Sequence, residues 1–423
     1  MKHILLSAVG SLGDLHPMLA LGGELRRRGH RVTLAAMEAY RERAEAAGLA
    51  FRPMAPHFDP DDPTVMRRVM RYRRGPEFLF RELLLPRLRE QLADLEAALA
   101  QADALVAGEI VFAARIAAER LNKPWAAAIL APYSFISVED PSIVPQLPLT
   151  PYLRNAPRFV RRLVKGIGPV VVRRWGEPID RLRRELNLPP VRRPLLEGRF
   201  SPRLNLAMFS RMLAAPVADW PPGTVQTGFA FHDAPPPGKK TLQENALERF
   251  AAFARRGPPP LVFTLGSAAV QVADDFYAES VAAAKLLRQR AVLLAGDNDV
   301  AGLVSDSVAA FEYLPHAAVF PHAAAVIHQG GVGTTSQALR AGVPQLVVPH
   351  GFDQPDNAAR VARLGVARTV PRSRYRATRV AAAIEPLLSN PMYRRRAEAA
   401  GEEIAAERGV AAAADAVEGL VAS

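Results

Sequence analysis

Two doubly wound α/β domains are the fold class this sequence predicts. Three observations carry it. Short apolar runs alternate with helical patterns over residues 1–215, a proline- and glycine-rich stretch follows at 216–240, and a second alternating series begins at 241. The length of 423 residues agrees, because it exceeds what one core usually organises. No solenoid-period repeat is visible, so the two halves share architecture and not sequence.

In the first half, residues 4–8 read as a strand, 17–28 as a helix opened by Pro17, and 32–36 as a second strand. Ala104-Leu105-Val106-Ala107 and Ala126-Ala127-Ala128-Ile129-Leu130 have the short, wholly apolar form of strands buried on both faces of a parallel sheet. Pro216, Pro221-Pro222-Gly223 and Pro235-Pro236-Pro237-Gly238 then mark a linker. Strands of the second series are expected at 261–265, 291–294, 311–314, 325–328 and 345–349. An alanine-rich amphipathic helix closes the chain over 397–421.

The densest information lies between Phe311 and Gln354. The strand Ala325-Val326-Ile327-His328 breaks at Gly330-Gly331-Val332-Gly333, and Thr334-Thr335 start a helix that runs to about Arg340. A strand, a glycine turn and a helix start together make an anion site. The first helical N–H groups lack partners, the helix dipole is positive there, and glycine lets a phosphate approach the backbone. His328 ends the strand, where a further hydrogen bond to that phosphate is expected. The next strand, Gln345-Leu346-Val347-Val348-Pro349, leads to the polar pair Asp353-Gln354. Ligands of open parallel sheets bind at such carboxyl ends.

This block resembles the donor-binding signature of nucleotide-sugar-dependent glycosyltransferases of family 1, H-x-G-G-x-G-T, then G-V-P, then D-Q. Here the signature is His328 to Thr334, Gly342-Val343-Pro344 and Asp353-Gln354. The resemblance implies the GT-B fold, two Rossmann-like doubly wound domains facing each other across a cleft. It also implies domains at 1–215 for the acceptor and 241–396 for the nucleotide sugar, a linker at 216–240, and a C-terminal helix, 397–423, that crosses back to the first domain. By resemblance His328 binds the diphosphate, N–H groups of Gly330, Gly331, Gly333 and Thr334 cradle it, and Asp353 and Gln354 hold sugar hydroxyls. Helix capping is an equal account of Thr334 and Thr335, and a competing one of Gln354. Ser267, at the end of Leu261-Val262-Phe263-Thr264-Leu265-Gly266, takes the family's place near the phosphates. Tyr313, Leu314, Pro315 and His316 occupy its base-binding loop. Plant members usually carry tryptophan and glutamine there, so the base contacts and the choice between uridine and thymidine stay open.

A second glycine turn, Val9-Gly10-Ser11-Leu12-Gly13-Asp14-Leu15-His16-Pro17, lacks the dinucleotide spacing G-x-G-x-x-G. It is similar to the G-S-x-G-D-x-x-P motif of bacterial members that glycosylate lipids, sterols and antibiotics. Gly10, Ser11 and Gly13 then form a cleft loop, and Asp14 faces the acceptor. Inverting transfer needs a base for the acceptor hydroxyl proton, and a placed carboxylate contributes a rate factor on the order of 10²–10⁴. Capping of the helix is the competing account of Asp14. His16 is the rival base, and Glu109, ending another strand, is expected at the surface ahead of the alternative of lining the cleft. The resemblance is strong over the second domain and the first thirty residues and loose over 50–220. There Phe78, Phe80, Tyr133, Phe135 and the loop from Pro141 to Pro151 are candidates to wall an apolar acceptor pocket, or to serve the core.

Metal chemistry finds little support. Asp297-Asn298-Asp299 has the acid-x-acid form of a metal site, but its position after Gly296 favours a solvated turn. No H-E-x-x-H spacing occurs, and the resemblance implies transfer without a metal or cofactor. With no cysteine, the chain has no disulfide or thiolate metal site, which suits a cytoplasmic protein. No apolar run approaches the roughly 20 residues that span a bilayer, and Met1 to Ser7 is too short for a signal sequence. The net charge of +12 gathers in two arginine clusters, at 67–89 and 154–184. Without a nucleic-acid-binding motif beside them, they read as solvated helix faces or as a peripheral contact with an anionic membrane.

The expected function is inverting, metal-independent transfer of a hexose or deoxyhexose from a UDP- or dTDP-sugar to a hydroxyl of an apolar small molecule or lipid. A sugar-nucleotide epimerase or hydrolase on the same fold is the enzymatic alternative, and a non-catalytic partner of a glycosyltransferase is the other.

Overall fold

The computed structural model of the chain describes residues 1–60, 62–233, 238 and 240–422. It forms two compact units, one of Met1–Pro60, Arg73–His232 and Arg408–Ser423, the other of Asp61–Tyr72 and Asp233–Glu407.

The first unit holds a parallel sheet of β1 (His3–Ser7), β2 (Arg31–Ala36), β3 (Ala50–Pro53), β4 (Ala104–Gly108), β5 (Trp125–Ile129), β6 (Leu204–Ala207) and β7 (Thr224–Gln226). Their order is β3-β2-β1-β4-β5-β6-β7. The central strands are buried on both faces, which is why β4 and β5 read as unbroken apolar runs. Sheet order reverses between β1 and β4, so the loops after Ser7 and Gly108 flank a topological switch point. Strand β7 lies inside the stretch expected to be linker, whereas Pro235, Pro236 and Pro237 lie outside the described residues. The short strand β3 is largely exposed and carries Arg52 and Pro53, so it lacked an apolar signature.

The first helix spans Leu12–Arg27, five residues ahead of the expected start, and Pro17 sits in its interior. The reason is a capping box that overrides the proline signal. Ser11 accepts from the Gly13 N–H at 3.2 Å, and the Asp14 carboxylate accepts from the Ser11 N–H at 2.8 Å. The C-terminal helix Gly409–Ala422 packs against it. Arg28 bonds Asp415 at 2.5 Å and Glu418 at 2.7 Å, and His30 meets Glu418 at 2.8 Å. Gly409 lies so close to the Phe229 carbonyl that a Cβ has no room.

The second unit holds β8 (Leu261–Thr264), β9 (Ala291–Leu294), β10 (Val308–Phe311), β11 (Ala325–His328), β12 (Gln345–Val347) and β13 (Ala367–Thr369), all parallel, in the order β10-β9-β8-β11-β12-β13. Its switch point falls between β8 and β11. The strand expected at 311–314 ends at Phe311 instead, and Leu314 drops into the core with Phe311, Val319 and Phe320. The single closing helix expected over 397–421 is two helices. Pro391–Ala406 stops at Glu407, whose backbone is extended, and a new helix begins at Gly409. Gly401 of the former packs on Gly342, where a Cβ would lie 3.2 Å from the Gly342 Cα.

Among the described residues no helix is long and apolar enough to cross a membrane. In the first arginine cluster, Arg81, Arg87 and Arg89 pair with Glu77, Glu90 and Glu185, and Arg67 pairs with Asp274. These are exposed ion pairs of the kind that decorate a solvated surface.

Candidate active site

In the second unit, β11 ends at His328 and the helix Val332–Arg340 begins four residues later with Gly331 as its N-cap. Gly331 has no side chain, and no side chain among the described residues caps this helix. Capping therefore does not account for Thr334 or Thr335, and the first-turn N–H groups remain available to an anion. A Cβ placed on Gly333 would meet nothing within 4 Å among the described residues, so the space beside this turn is open.

His328 differs from its expected role as a direct phosphate ligand. The ring is fully buried, with Nδ1 accepting from the Gly330 N–H at 3.0 Å. That leaves the proton on Nε2, which donates to Gln345 Oε1 at 2.9 Å. Burial holds its pKa down to about 4, so the ring is neutral at physiological pH. With both nitrogens engaged inside the protein, His328 fixes the glycine turn from beneath.

The turn is joined to the Asp353-Gln354 pair. Gly330 has φ +90°, and a Cβ there would press on Val347 Cγ1 at 2.6 Å and on the Gln354 carbonyl at 3.2 Å. The Asn357 Nδ2 group donates to the Gly330 carbonyl at 2.9 Å and to Asp353 Oδ2 at 2.6 Å. Gln354 Oε1 accepts from the N–H groups of His350 and Gly351, at 2.7 and 3.1 Å, so its oxygen shapes the loop ahead of its own helix. Motif positions far apart in sequence thus converge on one end of the sheet.

The remaining expected donor residues divide. Ser267 is half-buried in the short helix Gly266–Ala269 that follows β8. A Cβ on Gly266 would lie 3.3 Å from Thr334 Oγ1, which brings that turn to the glycine helix. Tyr313 is 39% exposed, but Leu314 is fully buried, so its side chain serves the core and not a nucleotide. His316 stacks on Phe320 with centroids 4.4 Å apart. Burial lowers its pKa to about 4, helped by the neighbouring His328 and opposed by Asp233. Asp297-Asn298-Asp299 forms a turn in which Asn298 donates to the carbonyls of Val270 and Ala295. No cluster of metal-ligating side chains occurs among the described residues.

In the first unit, Asp14 stands at the β1–β4 switch point. It is not the N-cap but the third helical residue of the capping box. Its Oδ2 accepts from the N–H and, at 3.2 Å, the hydroxyl of Ser11. Its pKa is raised to about 6, mainly by burial, with Ser11 opposing and Glu109 adding like-charge repulsion. Gly10, with φ +121°, leaves the room that the Asp14 carboxylate fills, and Tyr40 donates to the Gly10 carbonyl at 2.7 Å. His16 lies with its ring 5.4 Å from that of His232. Glu109 is not on the solvated surface. It follows β4 and pairs at 2.9 Å with Arg199, both side chains largely buried. Of the aromatic candidates for an acceptor wall, Phe78 is buried and Phe135 packs among Phe200, Phe209 and Trp220. Phe80 sits edge-on to Phe112 and Trp175.

Sequence reading missed Asn357, Gln345, His350 and Arg199. Asn357 had a signal, since it stands four residues after Asp353, where helical side chains meet. His350 is buried with Nδ1 on the Val348 carbonyl, and burial lowers its pKa to about 4.

Comparisons with known proteins bear on the family and the fold. Residues 4–128 match the glycosyltransferase family 28 N-terminal domain, and residues 290–420 match the erythromycin biosynthesis protein CIII-like C-terminal domain. The chain is 33% identical to an O-mycaminosyltylonolide 6-deoxyallosyltransferase of Streptomyces fradiae, over 96% of this chain and 94% of that one. Among solved structures it is similar to the calicheamicin glycosyltransferase CalG4, with a TM-score of 0.71 at 21% identity, covering 100% of this chain and 98% of that chain. It is also similar to the Streptomyces sp. SF2575 glycosyltransferase SsfS6 complexed with thymidine diphosphate. There the TM-score is 0.67 at 20% identity, over 99% of this chain and 100% of that chain.

Proposed function

The chain belongs to the family 1 glycosyltransferases of the GT-B fold, and on that premise we propose which sugar it moves, onto what, and how. The reaction is transfer of a hexose or deoxyhexose from a dTDP- or UDP-sugar to a hydroxyl of an apolar natural-product aglycone, with inversion and without a metal. The observation that carries it is the uncapped helix start at Gly331, tied through Asn357 to Asp353. The deoxyhexose and the natural-product acceptor draw support from the relative that moves a 6-deoxyallosyl group, and the thymidine nucleotide from the complex of a protein of like fold.

In this reading the diphosphate rests on the first-turn N–H groups of Val332, Gly333 and Thr334. Charge that develops on it as the glycosidic bond breaks is met by the helix dipole and by fixed backbone donors, which need no reorganisation. Asp353 accepts from sugar hydroxyls, and the Gln354 amide nitrogen donates to one. Asp14 removes the proton of the acceptor hydroxyl as its oxygen attacks the anomeric carbon from the face opposite the diphosphate. One displacement of this kind inverts the anomeric configuration. A carboxylate with a pKa near 6 remains ionised at neutral pH while holding a proton better than an ordinary aspartate, as a general base requires.

The test is product analysis of the purified enzyme with dTDP- and UDP-deoxyhexoses and macrolide aglycones in EDTA. An inverted glycoside supports the reading. A free, altered sugar nucleotide, a retained anomer, or activity only with added manganese would refute its respective parts.

A further inference from the structure

The second arginine cluster is built unlike the first. Between Asp140 and Glu177 the sequence carries seven basic residues and no acidic one. The helix of this stretch, Arg158–Val172, has its polarity reversed. Arg161 reaches inward and donates to the carbonyls of Ala156 at 2.9 Å and of Val138 and Glu139 at 3.3 Å. Lys165, one turn on, donates to Asp219 at 3.3 Å. Phe159 and Leu163, also one turn apart, stand 72% and 67% exposed. The preceding turn, Thr150–Asn155, packs against this helix and adds Tyr152 at 74%, with Leu149 at 65% just before it. A surface helix of a globular protein places its apolar residues inward and its charges outward. Four large apolar side chains this exposed along one segment mark an interaction surface.

The face also has a basic rim. Arg154 and Arg158 pair with Asp140 and Glu139, but Arg162, Arg173 and Arg174 are exposed and form no ion pair with a described residue. We propose that this face docks on an anionic lipid surface, with Leu149, Tyr152, Phe159 and Leu163 entering the headgroup boundary and the unpaired arginines meeting lipid phosphates. Charge complementarity selects that occupant. The apolar side chains need an apolar medium and the arginines an anionic one, and a lipid leaflet offers both at one boundary. Tyr152 suits the same boundary, with an apolar ring and a polar hydroxyl. A second copy of the chain fits less well, because in a two-fold contact the patch meets itself and arginine faces arginine. Docking holds the protein where apolar molecules partition, and it does not rest on the reaction proposed above.

The test mixes the full chain with vesicles of phosphatidylcholine, alone or with phosphatidylglycerol, and reads the bound fraction by flotation. The wild type should float with the anionic vesicles and not with the neutral ones, and added salt should weaken the binding. Two variants separate the two parts of the face: Phe159→Ser/Leu163→Ser, and Arg162→Gln/Arg173→Gln/Arg174→Gln. Each should lose affinity by about tenfold or more. Melting temperatures should hold, since every altered side chain is exposed. A wild type that floats with neither vesicle, or equally with both, would overturn the proposal. So would variants that bind the anionic vesicles as tightly as the wild type. A wild-type dimer in sedimentation that Phe159→Ser/Leu163→Ser turns into a monomer would also overturn it, since a second copy would then cover the face.

Discussion

Asn357 holds Asp353 in place: its Nδ2 group donates to the Asp353 carboxylate at 2.6 Å while also donating to the Gly330 carbonyl at 2.9 Å. One buried amide thereby ties the glycine turn after β11 to the acidic residue expected to hold the sugar. Replacing it with Asn357→Leu leaves the buried Gly330 carbonyl unpaired, at a cost of about 1–3 kcal/mol in stability. With the Asn357 contact to Asp353 gone, the KM for the donor should rise more than that for the acceptor. Urea unfolding and a two-substrate kinetic analysis check both effects, and an unaltered donor KM would remove Asn357 from the account.

Asp14→Asn keeps an oxygen for the Ser11 N–H and removes the base. The expected result is a loss in kcat on the order of 10²–10⁴ with dTDP affinity unchanged. Because the folded state raises the pKa of Asp14 from 3.8 to about 6, it binds that proton more tightly than the unfolded chain does. Its contribution to stability is present at low pH and is lost as pH rises through about 6. Asp14→Asn should accordingly melt at a higher temperature than the wild type at pH 8, with the difference shrinking towards pH 5. Full activity in the variant would transfer the role of base to His16 or elsewhere.

The same carboxylate sets the acid limb of activity. kcat/KM should fall below about pH 6, where Asp14 takes up its proton. Glu109 contributes repulsion to that raised value, so Glu109→Gln should shift the limb to lower pH. A pH–rate profile of both proteins decides it, and an identical limb in the two would contradict the coupling.

Two glycines of the turn should respond oppositely to alanine. At Gly330, with φ +90° and Val347 in the way, alanine should destabilise the fold. At Gly333 a Cβ meets nothing within 4 Å, and alanine suits a helix better than glycine by up to about 1 kcal/mol. Gly333→Ala should therefore melt no lower than the wild type while weakening dTDP, because its methyl group occupies the approach of the diphosphate. Thermal melting with and without dTDP distinguishes the two substitutions, and undiminished dTDP binding by Gly333→Ala would place the nucleotide elsewhere.

Much of the fold was legible because parallel strands buried on both faces leave wholly apolar runs, as at Ala104-Leu105-Val106-Ala107. Edge strands were not, since β3 and β7 pair on one side only and keep polar residues such as Arg52, Thr224 and Gln226. Pro17 misled because a capping box upstream fixed the helix start. In the site, the glycine turn and the Asp353-Gln354 pair were readable as motifs. How the motif residues are held was not readable. His328 points its two nitrogens into the protein, Leu314 into the core and Glu109 towards Arg199, and each of these depends on a partner distant in sequence.

The central claim is that an uncapped helix start in the second unit binds the diphosphate of a sugar nucleotide without a metal. Calorimetric titration of the full chain with dTDP and with UDP, in EDTA, tests it most directly. Saturable one-site binding of at least one of them, reduced in Gly333→Ala, is the predicted result. Binding of neither, or binding that appears only when a divalent cation replaces EDTA, would contradict it.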